Sequence, residues 1–283
     1  MPRRLILGFV TFFLIAFVYL SAVRVLLSPW IQLPPDVMGG LFAGTLALVC
    51  FSLFHALYAL GWRHTLVFFL LSLVISWIQE QIGVTGGGVF GLFGAYHYSD
   101  LLGMKLGEVP ILIPLCWFMM IYPSYVLANF IVDDRPTGSQ GRLAKIVWLS
   151  FLSAMIMTAW DLVIDPILSG SAFHAWTWEQ GGPYFGVPLQ NYAGWVVTTF
   201  MIYLPYRLFE CRVPLRPMGS LPIWVAVMPL IAYGSVMIGN SFAGEAYGPK
   251  ALQLIGPFVM GIPLLAAGSR VWGAREKKNA HPG

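Results

Sequence analysis

Charged side chains are scarce in this sequence. Asp, Glu, Lys and Arg make up 10% of the 283 residues, apolar residues make up 58%, and the mean hydropathy is +0.75. This composition excludes a soluble domain with a large core and indicates a polytopic membrane protein. The sequence also lacks a long polar linker, a low-complexity segment and an internal repeat. We therefore expect a single integral membrane domain over residues 1–283.

Cysteine and histidine are also sparse. The three cysteines, Cys50, Cys116 and Cys211, form no CxxC or CxxH pair, which argues against a disulfide framework and a thiolate metal site. The five histidines form no HxxxH set, so the chain lacks the ligands of a membrane di-iron hydroxylase. The glycines of Gly86–Gly88 lack the lysine and the strand-to-helix context of a phosphate-binding loop. We therefore expect no cofactor, no metal and no nucleic-acid partner.

Long apolar runs, in contrast, are abundant. Eight of them approach the roughly twenty residues that a helix needs to cross a bilayer. They cover residues 5–27, 37–60, 64–80, 108–131, 143–165, 189–207, 221–241 and 250–272. The predicted fold class is all-α, a bundle of about eight transmembrane helices with two long outer loops. The first run continues without a small-residue cleavage site, so we expect an uncleaved helix rather than a signal peptide.

Basic residues are distributed unevenly between the two sides of this bundle. With the N-terminus inside, the inner side holds Arg3, Arg4, Arg63, Arg135, Arg142, Lys145, Arg207, Arg212, Arg216, Arg270, Arg275, Lys277 and Lys278. The outer side holds only Arg24, Lys105 and Lys250. This bias predicts a multi-pass protein of the cell membrane with both termini in the cytoplasm. Eight acids lie at the outer side, where we expect the functional site: Asp36, Glu80, Asp100, Glu108, Asp161, Asp165, Glu179 and Glu245.

Two acids stand one helical turn apart within the apolar segment Thr158–Pro166. An ionised carboxylate in hydrocarbon costs roughly 2.5–3.5 kcal/mol on insertion scales, so such residues usually have a function or a partner. The spacing of Asp161 and Asp165 places both on one face of a helix. We expect that helix to end at Asp165, because Pro166 disfavours helical geometry in the residue before it. The segment therefore predicts a proton-handling site.

Each acid also has a structural interpretation. Asp161 is satisfied, in that interpretation, by a neighbouring backbone group or a tryptophan N–H. Asp165 is then the polar end of a helix, and Glu80 is an interfacial carboxylate at the end of the third span. His97 lies between two tyrosines, where a surface histidine is commoner than a catalytic one. His55, in the middle of a span, is expected to be packed and hydrogen-bonded.

Two outer loops, about residues 77–100 and 176–195, are rich in glycine and aromatic side chains. Irregular backbone near a membrane is tolerated where it is buried in protein or lines a cavity, so these loops are predicted to fold over the bundle as a lid. The alternative is an interfacial aromatic belt, which we favour for Trp30 and Trp272. With no nucleophile elbow, and few cations to bind a diphosphate, the pattern favours acid chemistry on an apolar substrate.

Several motifs resemble, in the same order, the membrane carotenoid-biosynthesis family of carotenoid 1,2-hydratases and bisanhydrobacterioruberin hydratases. The resemblance covers roughly residues 75–207. It rests on Glu80, Gly83, Thr85-Gly86, Phe93–Tyr98, Asp100, Gly103, Val109-Pro110, Pro114, Trp117, Thr158–Pro166, Trp176–Trp178, Gly181-Gly182, Tyr184–Pro188 and Asn191–Trp195. It implies a carotenoid substrate with an acyclic end and addition of water to its C1–C2 double bond. Other carotenoid-biosynthesis enzymes are further expected partners, and the apolar spans make the lipid bilayer a partner as well.

In this reaction a carboxylic acid protonates C2 and water captures the cation at C1. We expect Asp161 to be the acid, with Asp165 or Glu80 orienting and deprotonating the water. The residues expected to shield the cation or bind the substrate are Trp160, Trp176, Trp178, Glu179, Tyr184, Asn191, Trp195, Tyr96, His97, Tyr98 and Asp100. Two alternatives remain open, a lycopene-type cyclase that quenches the same cation internally and a non-catalytic carotenoid-binding or transport protein.

Overall fold

The computed structural model describes residues 1–27, 37–86, 94–138, 141–215 and 221–280, and it confirms the all-α fold class. The helices are α1 (Arg3–Val18), α2 (Arg24–Leu27), α3 (Val37–Leu60), α4 (Trp62–Val84), α5 (Leu112–Asp133), α6 (Leu143–Leu168), α7 (Leu189–Arg212), α8 (Ile223–Ala226), α9 (Met228–Tyr247) and α10 (Leu252–Ala280). A π-helical turn, Tyr19–Val23, joins α1 to α2. Each of the eight predicted spans contains one long helix.

In the described ranges, seven helices are long and apolar enough to cross a membrane, and the chain is a multi-pass membrane protein. The long helix outside this set is α7. Helix α7 has a lower mean hydropathy because it carries polar side chains that are buried inside the bundle, including Asn191, Thr198, Arg207 and Glu210. The third predicted span, 64–80, is longer than expected, since α4 runs from Trp62 to Val84.

Helix α5 forms the centre of the bundle. It packs against α3, α4, α6, α9 and α10, and its residues are buried almost without interruption from Trp117 to Phe130. Helix α6 packs closely against α7, and α1 against α3. Because α4, α5, α6 and α7 form a ring in which each helix packs against the next, acids on α4 and α6 can face a common space.

The prediction that the helix of the two acids ends at Asp165 is wrong, because α6 continues through Pro166 to Leu168. A proline inside a helix has no N–H for the carbonyl four residues earlier. That carbonyl belongs to Leu162, and the Tyr184 hydroxyl donates a hydrogen bond to it at 3.0 Å. The side chain from the following loop therefore replaces the missing backbone donor and lets the helix continue.

The two glycine-rich loops meet in a short antiparallel ribbon over one end of the bundle. Strand β1 (Tyr96–Tyr98) comes from the first loop and strand β4 (Trp176–Trp178) from the second. Tyr96 lies opposite Trp178, and Tyr98 lies opposite Trp176. Strands β2 (Lys105–Leu106) and β3 (Val109–Pro110) form a second small hairpin before α5. We call the β1–β4 pair the ribbon, and the end of the bundle that it covers the ribbon end.

Arg207, predicted at the inner end of the span 189–207, lies instead inside the bundle on α7 and is fully buried. Its guanidinium donates hydrogen bonds to Asn129 Oδ1 at 2.7 Å and Ser153 Oγ at 2.8 Å. It also lies 4.6 Å from the centre of the Tyr125 ring. Polar partners on α5 and α6 therefore allow an arginine to be buried where the sequence indicated a helix end.

Some predicted features lie outside the described residues. These are the aromatic-belt residue Trp30, the acid Asp36, the glycines Gly87 and Gly88, the motif residue Phe93 and the basic residue Arg216. His55, expected to be packed and hydrogen-bonded, is buried on α3 with its ring nitrogens near Tyr122 Oη (2.6 Å) and Val225 O (2.8 Å).

Candidate active site

The side chains of Asp161 and Asp165 lie together on one face of α6, and each is only 1% exposed. One amide group joins them. Asn191 Nδ2, from the first turn of α7, donates to Asp161 Oδ2 at 3.1 Å and to Asp165 Oδ2 at 2.7 Å. The two hydrogens of a single side-chain amide can serve two acceptors at once. Asn191 therefore fixes the two carboxyl groups relative to each other.

The two acids differ in how many donors surround them. Asp165 Oδ1 accepts hydrogen bonds from Trp176 Nε1 at 2.7 Å and Trp178 Nε1 at 3.1 Å, both from strand β4. Together with Asn191, three donors contact Asp165. Among the described residues, the side-chain hydrogen bond to Asp161 is the one from Asn191. The tryptophan N–H groups expected as a structural clasp for Asp161 thus contact Asp165 instead.

Glu80, four residues before the end of α4, is the third acid of this region and is 7% exposed. Its Oε2 accepts hydrogen bonds from the hydroxyls of Tyr96 and Tyr98, the latter at 2.6 Å. Its Oε1 accepts from Trp117 Nε1 of α5 at 2.9 Å. A carboxylate surrounded by three donors has its charge well compensated without a nearby cation. All four inward-facing aromatic side chains of the ribbon therefore donate to a carboxylate of the bundle.

The hydroxyl groups of Tyr96 and Tyr98, which donate to Glu80, keep their protons. Burial raises the pKa of both Tyr96 and Tyr98 well above the ordinary value of 10.0, and the nearby Glu80 carboxylate adds to the increase. A phenol that has lost its proton cannot donate, so these raised values preserve the contacts with Glu80 at physiological pH.

A glycine makes room for one of these contacts. A Cβ atom built on Gly83 would lie 2.7 Å from the Tyr96 hydroxyl oxygen and from its Cε1. That distance is too short for any side chain to occupy without a shift. Gly83 is one turn after Glu80 on α4, so its bare backbone lets the Tyr96 ring reach the carboxylate.

One large cavity, about 600 Å³, connects the three acids. Ten of the residues predicted as site residues line it: Glu80, Tyr96, Tyr98, Trp160, Asp161, Asp165, Trp176, Trp178, Asn191 and Trp195. The structure thus brings together acids from α4 and α6, the amide of α7 and the aromatics of the ribbon. Most of the remaining lining is apolar, so the carboxyl groups face a space suited to a hydrocarbon.

Four other predicted residues lie outside this lining. His97 is in the same strand as Tyr96 and Tyr98, and the alternation of a strand turns it outward, where it is exposed. Asp100 is exposed and paired with Lys105 at 2.9 Å, which lowers the pKa of its carboxyl. Glu179 is exposed as well. Tyr184 contacts the Leu162 carbonyl instead of the cavity.

Stacked tryptophans form one wall of the cavity. The Trp117 and Trp195 rings are parallel, with centroids 4.1 Å apart, and the Trp160 and Trp195 rings are nearly perpendicular, with centroids 5.8 Å apart. The sequence indicates Trp117 as part of a motif but predicts no role for it. No pattern in the apolar run of α5 indicates that its N–H reaches an acid on α4.

In the part of the chain that the structure describes, no group of three or more His, Cys, Asp or Glu side chains is arranged to hold a metal ion. The three acids are instead surrounded by aromatic and amide donors, such as Trp117 at Glu80 and Trp176 and Asn191 at Asp165. What the site presents to a bound molecule is carboxyl groups and aromatic faces.

Comparison with known proteins agrees with the motifs. A family model described as "Carotenoid biosynthesis protein" matches residues 39–263. The bisanhydrobacterioruberin hydratase of Haloarcula japonica is 32% identical over 137 residues, which are 48% of this chain and 43% of that protein. The aligned part thus spans less than half of the relative's length, and no solved structure matches the chain. The family model covers most of the chain, including all three acids of the cavity, and the chain belongs to the family of carotenoid biosynthesis proteins.

Proposed function

We propose that this protein is a carotenoid hydratase, which adds water to the C1–C2 double bond of an acyclic carotenoid end group. The observation that carries the proposal is the cavity itself, a largely apolar space in which Glu80, Asp161 and Asp165 are the acidic groups. Such a space suits a hydrocarbon substrate and a reaction driven by proton transfer. The hydratase from Haloarcula japonica supports the same class of reaction.

Asp161 is the general acid in this proposal. Asp165 is contacted by three donors, an arrangement that suits an ionised carboxylate. Asp161 has a single donor on Oδ2, which leaves Oδ1 able to carry a proton toward the cavity that Asp161 lines. Two carboxyl groups held by one amide in a buried site favour a state in which one of them is protonated.

The reaction then proceeds in balanced steps. The proton of Asp161 is transferred to C2, the π bond breaks, and a tertiary cation remains at C1. The oxygen of a water molecule bonds to C1, and its surplus proton is transferred to Asp165 or Glu80. Glu80 Oε1 and Asp165 Oδ2 each accept one hydrogen bond from the protein and have a second lone pair for that water. Return of this proton to Asp161, directly or through solvent, completes the cycle.

Aromatic faces stabilise the cation. Trp160 and Trp195 both line the cavity and meet edge to face beside Asp161. A desolvated cation over a tryptophan face gains about 2 kcal/mol or more. Trp176 and Trp178 also line the cavity, although their N–H groups hold Asp165. The shielding role first expected for Tyr184 is better assigned to Trp195, since Tyr184 lies outside the lining.

Expression in a host that accumulates lycopene or γ-carotene tests the proposal. A hydratase yields pigments heavier by one water per reacted end, measured by mass spectrometry of the extracted carotenoids. A cyclase yields a product of unchanged mass with a new ring, and a binding protein returns unchanged pigment. Cells that carry the empty vector give the reference pigment, and absence of any hydrated product from folded protein would reject the hydratase.

Isotope labelling tests the source of the atoms. Because the acid exchanges its proton with solvent, membranes supplied with substrate in D₂O should give a product with one non-exchangeable deuterium at C2. In H₂¹⁸O the product should carry the heavy oxygen at C1, and activity should need no NAD(P), ATP or O₂. Oxygen label arriving from O₂, or activity lost to a chelator and restored by one metal, would contradict the mechanism.

A further inference from the structure

The cavity extends well beyond the three acids, into a space between α1, α3 and α9. We call this part the side arm and define it by Phe17, Leu20, Phe42, Gly44, Met119 and Phe242, all of which line the cavity. Most of its lining is apolar, with Ser21, Arg24, Thr45 and Asn240 as the polar residues of this region. None of the chemistry proposed above takes place there, so the side arm needs a separate explanation.

Helix α5 connects the side arm to the acids. Cys116, Trp117 and Met119 of this helix all line the cavity, and of these Trp117 donates to Glu80 while Met119 belongs to the side arm. A ligand whose end lies among the acids can therefore continue along α5 into the side arm without leaving the cavity. The arrangement fits a long, narrow, apolar molecule that reacts at one end.

The wall of the side arm is built around the π-helical turn Tyr19–Val23. π-Helical turns within α-helices are often found at functional sites. A Cβ atom on Gly239 of α9 would lie 2.7 Å from the Ser21 carbonyl oxygen, so this turn lies directly against α9. The close contact fixes the position of Leu20 and Ser21 where they face the cavity.

The side arm also reaches the surface of the bundle. Phe42 on α3 and Phe242 on α9 line the cavity, yet they are 36% and 38% exposed. Both belong to helices that are long and apolar enough to cross a membrane. The two rings therefore lie where the side arm approaches the outer face of the bundle.

Gly44 lines the side arm without a side chain that would occupy it. It is buried on α3, and a Cβ atom built there would have only one close neighbour, Leu20 Cβ at 3.9 Å. A larger side chain at this position would therefore start in open space and extend into the side arm. Glycine is common where a ligand passes close to the backbone.

We propose that the side arm binds the polyene chain of the carotenoid next to its reacting end, and that Gly44 determines whether a long polyene is accepted. The inference rests on the proposed function for the identity of the polyene as substrate. It assigns to the α1–α3–α9 side of the cavity a role in recognising chain length, separate from the carboxyl groups that perform the reaction.

The test compares Gly44→Leu with Gly8→Leu. Gly8 is an exposed helical glycine on α1 with no atom within 4 Å of its added Cβ, and it does not line the cavity. Purified proteins in detergent are titrated with lycopene, and binding is measured as quenching of tryptophan fluorescence. We expect Gly44→Leu to raise the Kd by about tenfold or more, Gly44→Ala to raise it less, and Gly8→Leu to leave it unchanged.

A short competitor completes the test. A fifteen-carbon acyclic terpene with the same terminal alkene fills only the acid end, so its affinity should be equal in Gly44→Leu and wild type. Unchanged lycopene affinity in Gly44→Leu would overturn the inference. An equal loss of affinity for lycopene and for the short competitor would also overturn it. If wild-type protein binds lycopene but yields no hydrated product, the proposed function fails while the side arm is still supported by its own binding data.

Discussion

Asp161 and Asp165 are one turn apart and share an amide, yet their surroundings predict different results for the same substitution. In Asp161→Asn the new side-chain oxygen can still accept from Asn191, so the bundle should fold and bind pigment. Loss of a general acid typically reduces the rate about 10²–10⁴-fold. We expect a loss of this size in hydrated carotenoid formed per unit of protein. Glu179→Gln, an exposed carboxyl outside the cavity, is the matched control and should be fully active.

Near-normal turnover in Asp161→Asn would assign Asp161 a structural role and make Glu80 the next candidate acid. Asp165→Asn gives a second comparison, because its amide would place N–H groups or a neutral oxygen opposite the donors Trp176, Trp178 and Asn191. We expect this variant to lower thermal stability as well as activity, since a buried donor left without an acceptor costs about 1–3 kcal/mol.

Gly83 is predicted to be a positioning residue for Glu80. In Gly83→Ala the added methyl group collides with the Tyr96 ring, so the tyrosine must move away from the carboxylate. Hydrogen bonds to charged groups are worth about 1.5–3 kcal/mol, and a lower melting temperature in detergent should accompany reduced turnover. Gly8→Ala, which adds the same methyl group in open space, should leave both unchanged. Equal stability and activity in the two variants would show that the Tyr96 contact is dispensable.

The acids of the site could be recognised from the sequence because carboxyl groups are expensive in apolar segments. Glu80, Asp161 and Asp165 were all selected on that ground, and the structure places all three around one cavity. The donors to Glu80 could not be assigned, because they come from β1 and α5 and only tertiary packing brings them together. His97 was grouped with its tyrosine neighbours, but a three-residue strand in that loop turns it away from them.

At the level of single elements, Tyr184 and Pro166 are expected to be coupled. The Tyr184 hydroxyl donates to the Leu162 carbonyl, which Pro166 leaves without a backbone donor. Burial raises the pKa of Tyr184 to about 12, so its hydroxyl remains a donor at physiological pH. Tyr184→Phe should lower the free energy of unfolding by about 1–3 kcal/mol, because the Leu162 carbonyl then lacks a donor. In a Pro166→Ala background the loss should be smaller, since the new backbone N–H can serve that carbonyl.

Thermal unfolding of the four proteins in detergent, wild type, both single variants and the double variant, gives the coupling energy between the two positions. Additive effects would show that Tyr184 does not compensate for the proline. Gln180→Ala, at an exposed position of the same loop, is a control for general disturbance of the loop and should have little effect.

Helices were easier to predict than the ribbon. Each apolar run of suitable length marks a helix, because a bilayer requires one, and the structure has a long helix in every predicted span. The end of α6 was misplaced, since proline usually interrupts a helix and the compensating hydroxyl comes from a distant loop. Strands of three residues that pair across two intervening helices leave no periodic signal in the sequence.

For the whole molecule, the charge bias predicts which side of the membrane each loop faces. With Cys50, Cys116 and Cys211 replaced by serine, single cysteines at the exposed positions Arg135 and Thr177 provide labelling sites at opposite ends of the bundle. An impermeant maleimide added to intact cells should label Thr177→Cys, and should label Arg135→Cys only after the cells are opened. Labelling of Thr177→Cys only in opened cells would reverse the orientation and place the ribbon in the cytoplasm.

The ribbon has a consequence for how the protein is made. Its strands are separated in the chain by α5 and α6, so they cannot pair until both helices have left the ribosome and entered the membrane. Glu80 and Asp165 therefore enter the translocon before all of their donors have been synthesised, and each acid must be inserted neutral or hydrated. Newly made chains should pass through an intermediate in which α4, α5 and α6 are inserted but the ribbon end is still protease-sensitive. Closing of the ribbon, which supplies four of the donors to Glu80 and Asp165, can take place only after the helices that carry these two acids have been made.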